Sequence, residues 1–114
     1  MKRRQLNPEK SASFAEADLC RALLALRTPA QMLAFLRDLC TPAELEALTE
    51  RWQVVPYLLK GMPYREIHEH TAVSVTTIGR VARFLKSGSG GYQAAIAHDA
   101  LRGRARNAAG GARP

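Results

Sequence analysis

Residues 62–86 read MPYREIHEHTAVSVTTIGRVARFLK, and this stretch decides the fold. Its apolar residues recur at helical spacing in two separate runs, which predicts two short helices. Only a tight turn fits between them, in Thr71–Ser74, and Ser74 is suited to cap the second helix. Ala72 lies where such turns favour a left-handed backbone, which costs alanine about 1 kcal/mol relative to glycine. The pattern predicts a helix-turn-helix unit.

The outward side of the second predicted helix has the composition of a DNA-binding surface. Thr76, Arg80 and Arg83 repeat there at steps of four and three, and no acidic residue occurs from Ser74 to Lys86. Short hydroxyl side chains allow close approach to base edges, and arginine pairs with guanine. The pattern therefore indicates a helix that enters a DNA major groove. An ordinary αα-hairpin with a solvated polar face fits the same apolar stripe and remains an alternative.

The positive charge is unevenly distributed along the chain. The net charge is +7 over 114 residues, with +3 in residues 1–10 and +4 in residues 102–114. Within the rest, residues 60–86 carry +3 and residues 11–59 carry −2. A neutral body with one basic end and two basic tails fits phosphate binding.

Length and hydrophobicity narrow the classes of protein to consider. The chain is long enough for one domain. It contains no run of eighteen apolar residues and no signal-peptide pattern, so we expect a cytoplasmic protein without a membrane span. Cys20 and Cys40 fall in apolar helical segments, which predicts buried thiols.

No pattern of catalytic or metal-binding residues stands out. His68 and His70 flank Glu69, but positions i and i+2 of a helix point apart, so these imidazoles are poorly placed to chelate one metal ion. The glycines in residues 88–91 lack the Lys-Ser/Thr that follows a phosphate-binding loop. We therefore expect neither an enzyme nor a bound cofactor or metal.

Local start and stop signals predict the remaining helices. Three capping sequences occur, at Ser13–Glu16, Thr28–Gln31 and Thr41–Glu44. Together with composition they predict a flexible basic arm over residues 1–12, a helical domain over residues 13–102 and a disordered basic tail over residues 103–114.

The third predicted helix carries the longest apolar stripe in the chain. It runs from Pro42 toward Lys60, with an apolar seam from Leu45 to Leu59 that suits a central helix or a dimer contact. Pro56 lies inside it and removes a backbone hydrogen bond, which predicts a kink or a break near residues 52–56. One last short helix is predicted from Tyr92 to Leu101.

These residues together resemble the Trp repressor family, and within it the YerC/YecD-type branch. The resemblance covers roughly residues 35–92. It rests on these segments: Leu39-Cys40-Thr41 and the following residues to Leu48, Arg51, Leu58–Gly61, Arg65–Ile67, Thr76–Val81 and the Gly-Ser-Gly-Gly-Tyr run at 88–92.

The resemblance implies an all-helical, intertwined homodimer that binds double-stranded DNA. The positions that it places toward DNA are Arg65, His68, Ser74, Val75, Thr76, Thr77, Gly79 and Lys86, to which the outward-face pattern adds Arg80 and Arg83. It also places Thr41, Arg51 and Arg80 around a small co-repressor.

Two residues depart from the family pattern at the co-repressor position. Val81 and Phe84 stand where the repressor itself has glycine and serine, so they reduce the room for an indole ring. Either the site takes an effector other than tryptophan, or these side chains fill it and no effector is needed. The sequence thus predicts a DNA-binding transcriptional regulator, a repressor in the first instance. The alternative is a helical adaptor that docks a protein partner through the Leu45–Leu59 seam without DNA readout.

Overall fold

The protein is all-α over the part of the chain that the structure describes. The computed structural model describes residues 8–110, with side chains described for residues 11–100. It has seven helices and no strand in that range. The helices are α1 (Pro8–Leu24), α2 (Pro29–Leu39), α3 (Pro42–Gln53), α4 (Val55–Leu59), α5 (Tyr64–Thr71), α6 (Val75–Ser87) and α7 (Gly91–Gly110).

Helices α2 and α3 begin where the capping sequences predicted. The Thr28 hydroxyl accepts a hydrogen bond from the Gln31 amide at 3.1 Å. At the start of α3 the capping is reciprocal. The Glu44 amide donates to Thr41 Oγ1 at 3.1 Å, and the Thr41 amide donates to Glu44 Oε1 at 2.8 Å. These bonds satisfy amides that have no partner within the helix.

The two end helices are longer than predicted. Helix α1 begins at Pro8 rather than at Ser13, so the Ser13–Glu16 capping sequence lies inside a helix. Proline suits the first helical turn because its missing N–H is not needed there. Helix α7 continues to Gly110, through most of the segment that composition had predicted to be disordered. That segment is rich in alanine and arginine, which are strong helix formers. Residues 1–7 and 111–114 lie outside the described residues.

The predicted break at Pro56 is confirmed. Helix α3 ends at Gln53, Val54 separates the two helices, and Pro56 lies in the first turn of α4. There the proline ring removes no helical hydrogen bond that would otherwise form. The break also turns Val54 and Val55 into the core, where at most 2% of each residue is exposed.

The core forms around the helix-turn-helix unit. The chain divides into two compact units between Glu46 and Ala47. All the buried residues found in the range with described side chains belong to the second unit. The buried side chains are Val54, Val55, Ile67, Val73, Ile78 and Val81. Leu85 and Ile96 pack against them and are partly buried. The apolar runs predicted within residues 62–86 are therefore confirmed, since Ile67, Ile78 and Val81 are buried.

The first unit contains no buried residue among those whose side chains are described. Phe14 is 63% exposed and Leu24 is 83% exposed. Cys20 is exposed and Cys40 only partly buried, so the prediction of two buried thiols is wrong. Because apolar burial is the main source of helix stability in proteins, this unit gains little of it within one chain.

None of the described helices has the length and hydrophobicity required to cross a membrane.

The left-handed backbone at Ala72 gives a test of the turn. Its φ is +65°, and Ala72 is the one non-glycine residue with positive φ among the described residues. We expect Ala72→Gly to raise the free energy of unfolding by up to about 1 kcal/mol, because glycine adopts this conformation without Cβ strain. Denaturant unfolding at fixed protein concentration measures the change.

The matched control is Ala97→Gly, at an exposed position inside α7. There glycine should lower the free energy of unfolding by about 0.5–1 kcal/mol. Equal destabilisation by both substitutions would contradict the strain at Ala72.

Candidate nucleic-acid interface

Helices α5 and α6 form the predicted helix-turn-helix unit, and side chains of α5 hold the turn between them. The Thr71 hydroxyl donates to the Ile67 carbonyl oxygen at 2.8 Å and accepts from the Val73 amide at 3.1 Å. The Ala72 amide donates to the His68 carbonyl oxygen at 2.7 Å. Backbone groups that leave the helix thus keep hydrogen-bond partners, as a sharp change of direction requires.

Val73 anchors the turn in the core. It is 1% exposed, although Ala72 and Ser74 on either side of it are exposed. Its carbonyl oxygen lies 2.8 Å from His68 Nδ1. The N–H and C=O groups of the buried Val73 are therefore both paired with side chains of α5. Buried polar groups in proteins almost always have such hydrogen-bond partners.

Ser74 caps helix α6 as predicted. Its hydroxyl oxygen accepts from the Thr77 amide at 3.1 Å, and the hydroxyl proton is donated to Thr77 Oγ1 at 3.0 Å. The backbone of Ser74 is extended, as is usual at an N-cap. Val75 and Thr76 follow at the exposed start of the helix. The hydroxyl-bearing residues Ser74, Thr76 and Thr77 therefore lie together at the N-terminal end of α6.

The outward face of α6 matches the prediction. Thr76, Arg80, Arg83 and Lys86 are exposed. The buried Ile78 and Val81 lie on the opposite side of the same helix. On α5, Arg65 and His68 are exposed as well. Gly79 is partly buried, and a Cβ built there would lie 3.7 Å from the Tyr64 ring, an ordinary van der Waals contact.

The Phe84 ring contacts two of the predicted DNA-binding arginines. The guanidinium carbons of Arg80 and Arg83 each lie 5.8 Å from the centroid of the Phe84 ring. A guanidinium at that distance from an aromatic ring gains a favourable cation–π contact. Phe84 is itself 42% exposed, so this three-residue cluster lies on the surface of α6.

The two arginines predicted to hold a small ligand share one pocket. Arg51 from α3 and Arg80 from α6 line a cavity of about 240 Å³, together with Val81, Phe84 and Tyr92. The structure therefore brings together two of the three predicted ligand-binding residues. Thr41 belongs to the first unit, where its hydroxyl caps α3. Val81 is 1% exposed, so most of its side chain lies in the core rather than in the cavity.

The sequence analysis missed an aromatic pair beside this pocket. The Trp52 and Tyr92 rings are parallel within 2°, with centroids 6.5 Å apart. They line a second, largely apolar hollow of about 440 Å³, together with Phe84. The glycine-containing run between α6 and α7 brings Tyr92 to this place, and Gln93 Nε2 secures it by donating to the Leu85 carbonyl oxygen at 2.9 Å. Spacing alone gave no signal for a contact forty residues apart in the sequence.

The histidines serve separate roles. The ring of His70 lies edge-on to Tyr57, with centroids 5.8 Å apart, whereas the His68 ring bonds to the turn. No group of three or more His, Cys, Asp or Glu side chains suited to a metal occurs within the described part of the chain.

Comparisons with known proteins point to one family. A family model described as the Trp repressor protein matches residues 16–100. The matched range includes all of α2 to α6. The uncharacterized protein YerC of Bacillus subtilis (strain 168) is 35% identical over 78 residues, which cover 68% of this chain and 75% of that protein.

Removal of the Ser74 cap should destabilise α6, and a replacement that can still cap the helix should not. We expect Ser74→Ala to lower the free energy of unfolding by about 1 kcal/mol because the Thr77 amide loses its acceptor. Ser74→Asp should retain the stability, since a carboxylate also caps and favours the helix N-terminus. Thermal unfolding followed by circular dichroism distinguishes them. Ser89→Ala, in the run between helices, should change nothing, and loss of stability in the aspartate variant would contradict the capping role.

Proposed function

Since the chain belongs to the Trp repressor family, we propose that it is a sequence-specific DNA-binding regulator of transcription, a repressor in the first instance. One observation carries the proposal. The exposed face of α6 presents Thr76, Arg80 and Arg83, and the helix is free of acidic residues. A regulator that acts on chromosomal DNA in this way works in the cytoplasm, and we propose this location for the protein.

The order of side chains along α6 suits insertion of its N-terminal end. Ser74, Val75 and Thr76 are short and exposed, so they permit close approach to base edges. Arg65 on α5 and Lys86 near the end of α6 are exposed cations suited to phosphates on either side of the groove. Residues 60–86 carry a net +3, which attracts DNA before any specific contact forms.

We further propose that the protein acts as a homodimer. Eleven large apolar side chains are at least 40% exposed among the described residues, and five of them lie in the first unit, which has no buried residue. A helical segment that leaves its apolar side chains exposed within one chain gains stability by packing them against another chain, and this favours a dimer. A twofold pair would present two α6 helices to half-sites about 34–36 Å apart, which predicts a palindromic operator.

The pocket lined by Arg51 and Arg80 favours an effector that has a carboxylate and no large aromatic ring. Two arginines that line one cavity suit a carboxylate, since arginine pairs with it through charge-assisted hydrogen bonds. The Arg80 guanidinium already contacts the Phe84 ring, so an indole would compete with that ring for the same face. This is the reason to propose an effector other than tryptophan.

The experiment that tests DNA readout is selection of bound genomic fragments, followed by affinity measurements at several salt concentrations. A sequence-specific regulator should prefer particular fragments, and the logarithm of its binding constant should fall steeply with the logarithm of salt. A shallow salt dependence without sequence preference would instead favour the helical adaptor that docks a protein partner.

Removal of Arg83 tests the outward face of α6. We expect Arg83→Ala to weaken binding to a selected fragment by about 1–3 kcal/mol if the side chain reaches a base, or to reduce the salt slope by about 1 if it contacts a phosphate. Fluorescence anisotropy measures both quantities. Arg37→Ala, at an exposed arginine of α2, is the matched control and should bind like the wild type. Unchanged affinity of the Arg83 variant at physiological salt would show that this face is not the DNA contact.

The effector proposal predicts that tryptophan has little influence on DNA binding. Tryptophan at about 1 mM would occupy any site that binds it with a micromolar dissociation constant. Its addition should leave the DNA affinity of dialysed protein within about twofold of the value without tryptophan. Calorimetric titration of the protein with tryptophan checks the same point directly. A tenfold or larger gain in DNA affinity would contradict the proposal and assign the Arg51–Arg80 pocket to tryptophan.

A further inference from the structure

We infer that His68 is a positioning residue, which fixes the direction of α6 by holding the carbonyl group of Val73. This inference rests on the proposed DNA-binding function, and it gives His68 a different role from the direct DNA contact that the family resemblance implies. The carrying observation is the 2.8 Å distance between His68 Nδ1 and the Val73 carbonyl oxygen.

Two side chains of α5 form hydrogen bonds with the backbone of Val73. The Thr71 hydroxyl holds the amide, at 3.1 Å, and the His68 ring holds the carbonyl oxygen. Both side chains project from α5, and Ser74, the next residue, caps α6. The position at which α6 begins is therefore set by two side-chain hydrogen bonds from α5, in a turn that contains no glycine.

The bond also sets the tautomer of the neutral imidazole. A carbonyl oxygen has no proton to donate, so Nδ1 must carry the hydrogen. In the neutral ring Nε2 is then an acceptor with no proton. A neutral His68 in this state has no proton on Nε2 to donate to a phosphate oxygen. The geometry that makes His68 useful to the turn thus makes its outer nitrogen unsuited to phosphate contact in the neutral form.

The consequence for DNA binding follows from the placement of α6. Its exposed Ser74, Val75 and Thr76 must meet base edges at hydrogen-bond distance, and small errors in helix direction move them away. Loss of the His68 bond leaves the carbonyl oxygen of the 1% exposed Val73 without this partner, so the turn relaxes to satisfy it. Affinity then falls although no DNA contact has been removed.

Two substitutions separate the positioning role from a direct contact. In His68→Asn the side-chain amide nitrogen replaces Nδ1 and keeps the bond to Val73, whereas in His68→Gln the amide nitrogen replaces Nε2 and extends outward. We expect the Asn variant to bind a selected DNA fragment within about twofold of the wild type, and the Gln variant to bind about tenfold more weakly. His70→Gln, two residues along the same helix, is the control and should bind like the wild type.

The opposite ranking, in which Gln preserves affinity and Asn loses it, would overturn the inference and make Nε2 a direct contact. Equal affinity of both variants with the wild type, or equal loss in both, would also overturn it. Circular dichroism and thermal unfolding of each variant confirm that a folded protein is being compared.

A second measurement does not depend on DNA. Long-range proton–nitrogen NMR correlation spectra of the free wild-type protein, recorded at a pH where His68 is neutral, identify which ring nitrogen carries the proton. We expect Nδ1 to carry it in His68. A neutral ring protonated at Nε2 would contradict the Val73 bond. This result stands even if the wild-type chain binds no DNA, so failure of the inference and failure of the proposed function are distinguishable.

Discussion

The structure depends on one constraint, which is that the turn between α5 and α6 must bury Val73 while both polar groups of its backbone stay hydrogen-bonded. Val73 is 1% exposed and joins Ile67, Ile78 and Val81 in a single core. An unpaired buried peptide group costs about 1–3 kcal/mol. The hydroxyl of Thr71 and the ring of His68 supply these partners, in a turn that has alanine in the left-handed position.

That constraint separates the two faces of α6. Once Ile78 and Val81 are buried against α5, the helical period leaves Thr76, Arg80 and Arg83 in solvent. In solvent the two arginines stay hydrated, so they require no acidic residue to pair with. The Phe84 ring orients both guanidinium groups by cation–π contacts. One thirteen-residue helix therefore supplies part of the core and also the proposed DNA-binding surface. The first unit forms no such core among its residues with described side chains, which is consistent with pairing of two chains.

Local chemistry explains what could be predicted from the sequence. The caps at Thr41 and Ser74 and the break at Pro56 depend on residues within four positions of one another, so they were predictable. The start of α1 at Pro8 was missed because the capping sequence at Ser13–Glu16 was taken as the first turn of the helix. The Trp52–Tyr92 stack and the Arg51–Arg80 cavity join distant segments, and only the path of the chain brings them together. The resemblance to a family suggested the two arginines, but not the aromatic pair.

The most direct test is photo-cross-linking from the outward face of α6. A benzophenone amino acid is placed at Thr76 in one protein and at His98, an exposed residue of α7, in another. Each is irradiated with a duplex recovered by genomic selection. We predict cross-links from position 76 at defined bases in each half-site and few from position 98. Equal cross-linking from both positions, or none from position 76 while the protein remains bound, would contradict the insertion of α6 into DNA.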